Sequence, residues 1–235
     1  MISYSPLLLF YKLIHIAPYI IFSIFPINDL NIKMFFVIMI YGLFEIHITV
    51  DNSQIWKLRM FCQDNKIKPI IAIMPNGDFN NQLMISKWIT GNQESVFAES
   101  NKLADKMKKY GLNIVRIKIE SMANNKNVPQ DENDNINTYY EFHIKLPYCD
   151  YDELKKICDE FSAAISFSGF KDTINFLITL RYSGTIGFVK AQTHQQSFHK
   201  YLENFGYKLM SIQSEYVIYD TRPDYDNGWI DNVII

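Results

Sequence analysis

The chain has 235 residues, 48% hydrophobic and 15% aromatic, enough for one large domain or two lobes sharing a core. Its 23 basic and 25 acidic side chains give a net charge of −2, and no basic run is interleaved with aromatics, which excludes a dedicated binder of duplex nucleic acid. Cys62, Cys149 and Cys158 are odd in number and lack C-x-x-C spacing, so they read as reduced thiols and place the globular part in the cytoplasm.

The first segment, 1–42, is hydrophobic. Residues 7–25 form an apolar run just long enough to cross a bilayer, although Lys12 near its centre costs roughly 2.5–3.5 kcal/mol there. No basic region and cleavage site mark it as a secretory signal. Membrane contact through 7–25, a packed extension, and a true start at Met34 or Met39 all remain open.

From residue 43 onward strands and helices alternate. A strand over 43–50 is followed by a helix over 53–65, strands over 69–74 and 83–90, a helix over 94–110 stopped by Gly111, and a strand over 113–120. Residues 124–137 are too polar to supply a core and read as a linker. The order then repeats with a strand over 139–146 and a helix from Asp150, whose spacing to Glu153 suits a capping box. Strands over 163–167 and 174–183, a helix over 186–205 stopped by Gly206, a strand over 207–220 and a tail over 221–235 complete the chain. Gly111 lies 64 residues after His47, and Gly206 lies 63 after His143. This near-equal spacing predicts an internal duplication. The fold class expected is α+β: two tandem ferredoxin-like (βαββαβ) lobes over 43–123 and 138–220.

The duplicated first strands carry the chemistry. Side chains alternate along a strand, so Glu45, His47 and Thr49 share a polar face, as do Glu141, His143 and Lys145. Arg116, Lys118 and Glu120 fall on the open face of the first lobe, and Thr179, Arg181, Gln213 and Glu215 on that of the second. If those faces meet, they line one cleft. His47 and His143 would be general acid and base across a phosphodiester. Thr49, Lys145, Arg116, Lys118 and Arg181 would hold phosphate, while Glu45, Glu141 and Glu120 orient the imidazoles.

The words His47-Ile48-Thr49 and His143-Ile144-Lys145 in a two-lobed chain resemble the two-histidine (LigT-like) phosphoesterase superfamily. That resemblance implies cleavage of cyclic or 2′-5′ phosphodiesters without metal or other cofactor, on a phosphate-containing small molecule or an oligonucleotide end. Lys145 stands where that pattern has Ser or Thr. The chain after residue 43 also resembles a broader group of proteins from bacteria and large DNA viruses, to which no activity is attached. A second phosphate chemistry fits as well: the rows Glu141-x-His143-x-Lys145 and Arg116-x-Lys118-x-Glu120 are similar to the charged strands of triphosphate-tunnel (CYTH-like) enzymes, which bind a triphosphate and a divalent ion. A third option makes Glu45, His47, Glu141 and His143 ligands of Zn²⁺, Mn²⁺ or Fe²⁺. The plainest alternative is non-catalytic: cross-strand ion pairs that join the lobes around a binding surface. Asp131, Asn133 and Asn135 imitate a calcium loop but fail its sixth and twelfth positions. His194 and His199 read as surface residues, and Trp88 as a core aromatic near the cleft.

Overall fold

The computed structural model describes residues 20–23, 35–169 and 175–233, with side chains from residue 39 onward. The strands are β1 (Ile20–Ser23), β2 (Phe35–Ile38), β3 (Tyr41–Val50), β4 (Lys68–Ile73), β5 (Asn81–Asn92), β6 (Ile114–Met122), β7 (Tyr139–Pro147), β8 (Ala164–Ser168), β9 (Asn175–Ser183) and β10 (Ser211–Asp220). Among the described residues four helices are interleaved with them: α1 (Ile55–Asn65), α2 (Gln93–Lys109), α3 (Tyr151–Glu160) and α4 (Phe188–Asn204). These elements fall close to those expected from periodicity. Asn92 and Ser95 exchange capping-box bonds at the start of α2, and Asp150 accepts from the Glu153 amide at the start of α3. Gly111 and Gly206 follow α2 and α4 with φ of +85° and +84°, a conformation that costs glycine little.

The expectation of two tandem ferredoxin-like lobes fails at the sheet edges. β10 pairs with β6, and β4 pairs with β8, so all eight strands from β3 onward close into one antiparallel barrel of order β10-β6-β3-β5-β4-β8-β9-β7. Closure abolishes the exposed edges that two separate sheets would leave. The two seams are unequal, because β10 and β6 share an extended register whereas β4 and β8 pair only at Ala72↔Ser168 and Ile73↔Phe167.

The barrel is inverted in polarity. Phe44, Ile46, Ile48 and Val50 of β3 and Tyr140, Phe142, Ile144 and Leu146 of β7 point outward and are buried in one apolar cluster. The helices cover that outer surface with Leu58 and Phe61 of α1, Leu103 and Met107 of α2, Leu154 and Cys158 of α3, and Phe198 and Leu202 of α4. Apolar burial outside the barrel is therefore the main stabilising term, and the inward face is left to polar side chains.

Residues 124–137 cross the surface between the halves. Asn125 donates to the Leu43 carbonyl and accepts from its amide, and Val128 is buried, so side-chain amides do what apolar contacts do elsewhere. Gly187, with φ of +73°, packs against this crossing. A Cβ there would lie 2.3 Å from the Asp131 carbonyl carbon. Gly187→Ala is expected to lower stability by about 1–3 kcal/mol, from strain and the displaced crossing, as read by urea unfolding.

The membrane-helix expectation is also corrected where it can be seen. Most of 7–25 lies outside the described residues, but Ile20–Ser23 is a strand paired with β2. No helix among the described residues is long and apolar enough to cross a membrane.

Candidate functional site

The barrel encloses a cavity of about 360 Å³. Its position follows from register. On β3, Glu45, His47 and Thr49 lie opposite Glu120, Lys118 and Arg116 of β6. On β7, Glu141 and His143 lie opposite Glu215 and Gln213 of β10, and opposite Arg181 and Thr179 of β9. Closure thus brings together nearly every residue that the strand pattern singled out. Lys145 and Arg181 are the exceptions: neither lines the cavity, although Arg181 reaches Glu141 and Asp226, which do.

Arg116, Lys118 and Arg181 are each engaged by carboxylates. Lys118 Nζ lies 2.7 Å from Glu120 and 2.8 Å from Glu141, joining the two halves. Arg181 donates to Glu141 at 2.9 Å through Nε and stacks over the Tyr139 ring. Arg116 grips Asp220 through Nε and Nη2 at 2.9 and 2.5 Å. Both arginines then converge on Asp226, which accepts from Arg116 at 2.8 Å on each oxygen, from Arg181 at 2.5 Å and from the Gln82 amide at 3.1 Å.

Asp226 comes from the tail. The short turn Pro223–Asp226 folds back across the barrel end, Trp229 donates to the Ile165 carbonyl, and Ile230 and Val233 are buried. The tail is a floor to the chamber. Strand periodicity could not find Asp226 because it lies beyond the last strand. The available signal was a dense acidic and aromatic run after β10, matched to two inward arginines.

The histidines are held by carboxylates. His47 Nε2 is 2.8 Å from Glu120 and 3.7 Å from Glu45, and Glu45 is also bonded by the Ser86 hydroxyl. His143 Nε2 is 3.1 Å from Glu215 and 3.6 Å from Glu141, while its Nδ1 meets the Thr179 hydroxyl at 3.0 Å. Burial works against the protonated form of His143, but the hydrogen bonds it donates to Glu141 and Glu215 overcome this and push the imidazole up to about 10. His47 moves in the same direction, with burial opposed chiefly by Glu120. The carboxylates thus favour the protonated form of both imidazoles, and His143 carries a proton at neutral pH. Burial likewise opposes ionisation of Glu120, yet Lys118 and His47 hold it down at about 2. Burial and the nearby Glu120 charge raise Glu215.

Six enclosed carboxylates (Glu45, Glu120, Glu141, Glu215, Asp220 and Asp226) face Arg116, Lys118 and Arg181, with His47 and His143 among them and Lys68 at the rim, so the interior is rich in carboxylates and dense in both signs of charge. Glu45, His47 and Glu120 bring ligand atoms within 4.8 Å of one another, as do Glu120, Glu141, His143 and Glu215. His194 bonds the Tyr182 hydroxyl and His199 lies 3.3 Å from Glu203, so both act within the helical layer.

A second concavity, of about 450 Å³, runs beside the barrel mouth between α2, β5 and the end of α1. Lys66, Lys68, Lys87, Lys102 and Lys106 line it, with Glu99 the acidic residue among them. Lys68 and Trp88 belong to both spaces, and Trp88 is exposed at the shared rim rather than buried in a core.

No family model and no curated protein matches the chain. Among solved structures, the small subunit of acetolactate synthase from Thermotoga maritima aligns with 10% identity over 76% of this chain and 96% of that one, at a TM-score of 0.27. An unknown protein from Galdieria sulphuraria aligns with 10% identity over 74% and 98%, at 0.23. Likeness at this level carries no inference about fold or activity.

Proposed function

We propose that the barrel is the chamber of a divalent-metal-dependent phosphohydrolase acting on a nucleotide-type phosphate ester or anhydride. The observation that carries this reading is an acid-rich, histidine-containing chamber that shares its rim with a lysine-lined groove. The groove attracts a polyanion and concentrates it at the mouth. Trp88 offers a face on which a base stacks. Inside, a phosphate would meet carboxylates unless a cation came with it, and Glu and His are suitable ligands for one. In hydrolysis the oxygen of water bonds to phosphorus, the bond from phosphorus to the leaving oxygen breaks, and the proton from water ends on that oxygen.

The metal-independent two-histidine chemistry has less support, because carboxylates favour the protonated form of both imidazoles and Arg116, Lys118 and Arg181 are all engaged by carboxylates. The unpaired Cys62, Cys149 and Cys158 support a cytoplasmic setting.

The full chain should be assayed against a diester, cyclic nucleotides and nucleoside triphosphates with Mn²⁺ and with excess chelator. Turnover that requires Mn²⁺ and vanishes with chelator is expected. Full activity in chelator would transfer the chemistry to the histidine pair, and tight ligand binding without any turnover would make the chain a binding module.

A further inference from the structure

We infer that the chamber binds two divalent cations, one per half of the chain, with Glu120 shared between them. The inference rests on the metal requirement proposed above and adds its stoichiometry and ligand set. The duplication supplies equivalent triads. Glu45 and His47 of β3 correspond to Glu141 and His143 of β7, each 96 positions on, and Glu120 of β6 corresponds to Glu215 of β10, 95 positions on. Each half therefore brings one Glu-x-His strand and one Glu from the neighbouring strand. Because β6 and β10 are paired, the two triads lie side by side.

Three observations point to cations between these groups. In both halves the register sets one glutamate directly opposite another, Glu45 against Glu120 and Glu141 against Glu215. Like charges opposite one another destabilise a sheet; Lys118, His47 and His143 lie against these carboxylates, and the same arrangement placed twice marks two positions that a divalent ion fits. Glu120 is 1% exposed, and neither of its oxygens receives a hydrogen bond of proper direction; Lys118 and His47 are near it but off axis. Finally, the Lys118 ammonium reaches Glu120 and Glu141 at once, as a single positive charge spanning both triads.

The chemistry of the donors selects the ion. Carboxylates with one imidazole per site suit Mn²⁺, Fe²⁺ or Zn²⁺ better than Ca²⁺. A shared carboxylate sets two ions roughly 3.5–4 Å apart, the spacing at which both sides of an in-line displacement are held. Ion binding shifts Lys118 away from at least one of its carboxylates, and its side chain is more exposed than those of Arg116 and Arg181.

Mn²⁺ alone is the probe. Dialysed full-length protein is loaded with Mn²⁺, counted by elemental analysis and read by electron paramagnetic resonance. Two ions per chain with a spin-coupled spectrum are expected. His47→Ala and His143→Ala should each leave one uncoupled ion, with circular dichroism confirming that the variants fold; the wild-type count stands even where a variant does not. One ion per chain, or two without coupling, overturns the shared centre. No bound ion overturns both this inference and the metal-dependent reading. A coupled pair without turnover of any phosphate ester keeps the centre and removes only the hydrolase.

Discussion

Asp226→Ala is expected to lose about 3–5 kcal/mol of stability, among the largest single losses available in this chain. The carboxylate is buried and joins four donors from Arg116, Arg181 and Gln82. Its removal leaves two guanidiniums at the barrel end with one carboxylate partner each, Asp220 and Glu141. An uncompensated buried charge costs far more than a surface pair contributes. Asp224→Ala is the control: it removes an exposed pair with Arg222 and should change stability by no more than about 0.5 kcal/mol. Urea unfolding of the three proteins decides it, and equal midpoints for wild type and Asp226→Ala would refute the keystone role.

The pH dependence gives an independent reading of the same contact. Burial alone would raise the Asp226 carboxyl, but the hydrogen bonds from Arg116 and the charges of Arg181 and Arg116 hold it well below its ordinary 3.8. A depressed folded-state value means that the contribution is fully present above the unfolded value and is lost as pH falls through the folded one. Wild-type stability should therefore drop more steeply than that of Asp226→Asn below about pH 4.

The second large effect is stabilisation by cation. Mn²⁺ at about 100 times its dissociation constant should add roughly 2.7 kcal/mol, or about 5–11 °C in Tm for a domain of this size. Glu215→Gln separates this from nonspecific binding through opposite signs. Glu215 faces Glu141 across the ladder and lies near Glu120, so without metal the neutral amide should match or exceed wild-type stability. With Mn²⁺ the same variant should lose most of the gain. Equal Tm shifts in the two proteins would place the cation elsewhere.

Local chemistry made much of this legible. The two Glu-x-His strands, the Asp150 cap and the glycines after α2 and α4 all announce themselves over a few residues, because alternation and capping are short-range. Closure does not. β10 with β6 and β4 with β8 join strands far apart in the chain, and their edges carry no signature beyond ordinary alternation. The inward face is polar, so Glu45 and Glu120 read equally well as residues facing solvent. Lys145 shows the converse limit: it shares the face of His143 by alternation, yet its side chain does not line the cavity. In the polar stretch 124–137, the Asn125 side chain bonds the Leu43 backbone, an anchor that composition does not reveal.

The matched spacing of Glu45 and His47 with Glu141 and His143 bears on direction. A closed pair of identical halves would present the same groups from either side, and a ligand could enter it in two equal orientations. Here the ligand triads match while their surroundings differ: Arg116 and Lys118 correspond to Ser211 and Gln213, and Thr49 to Lys145. Covalent linkage keeps each half beside its partner at high effective concentration, which frees them to diverge without losing one another. A two-fold centre set in one-sided surroundings gives the chamber a head and a tail, so a bound molecule lies in it one way round.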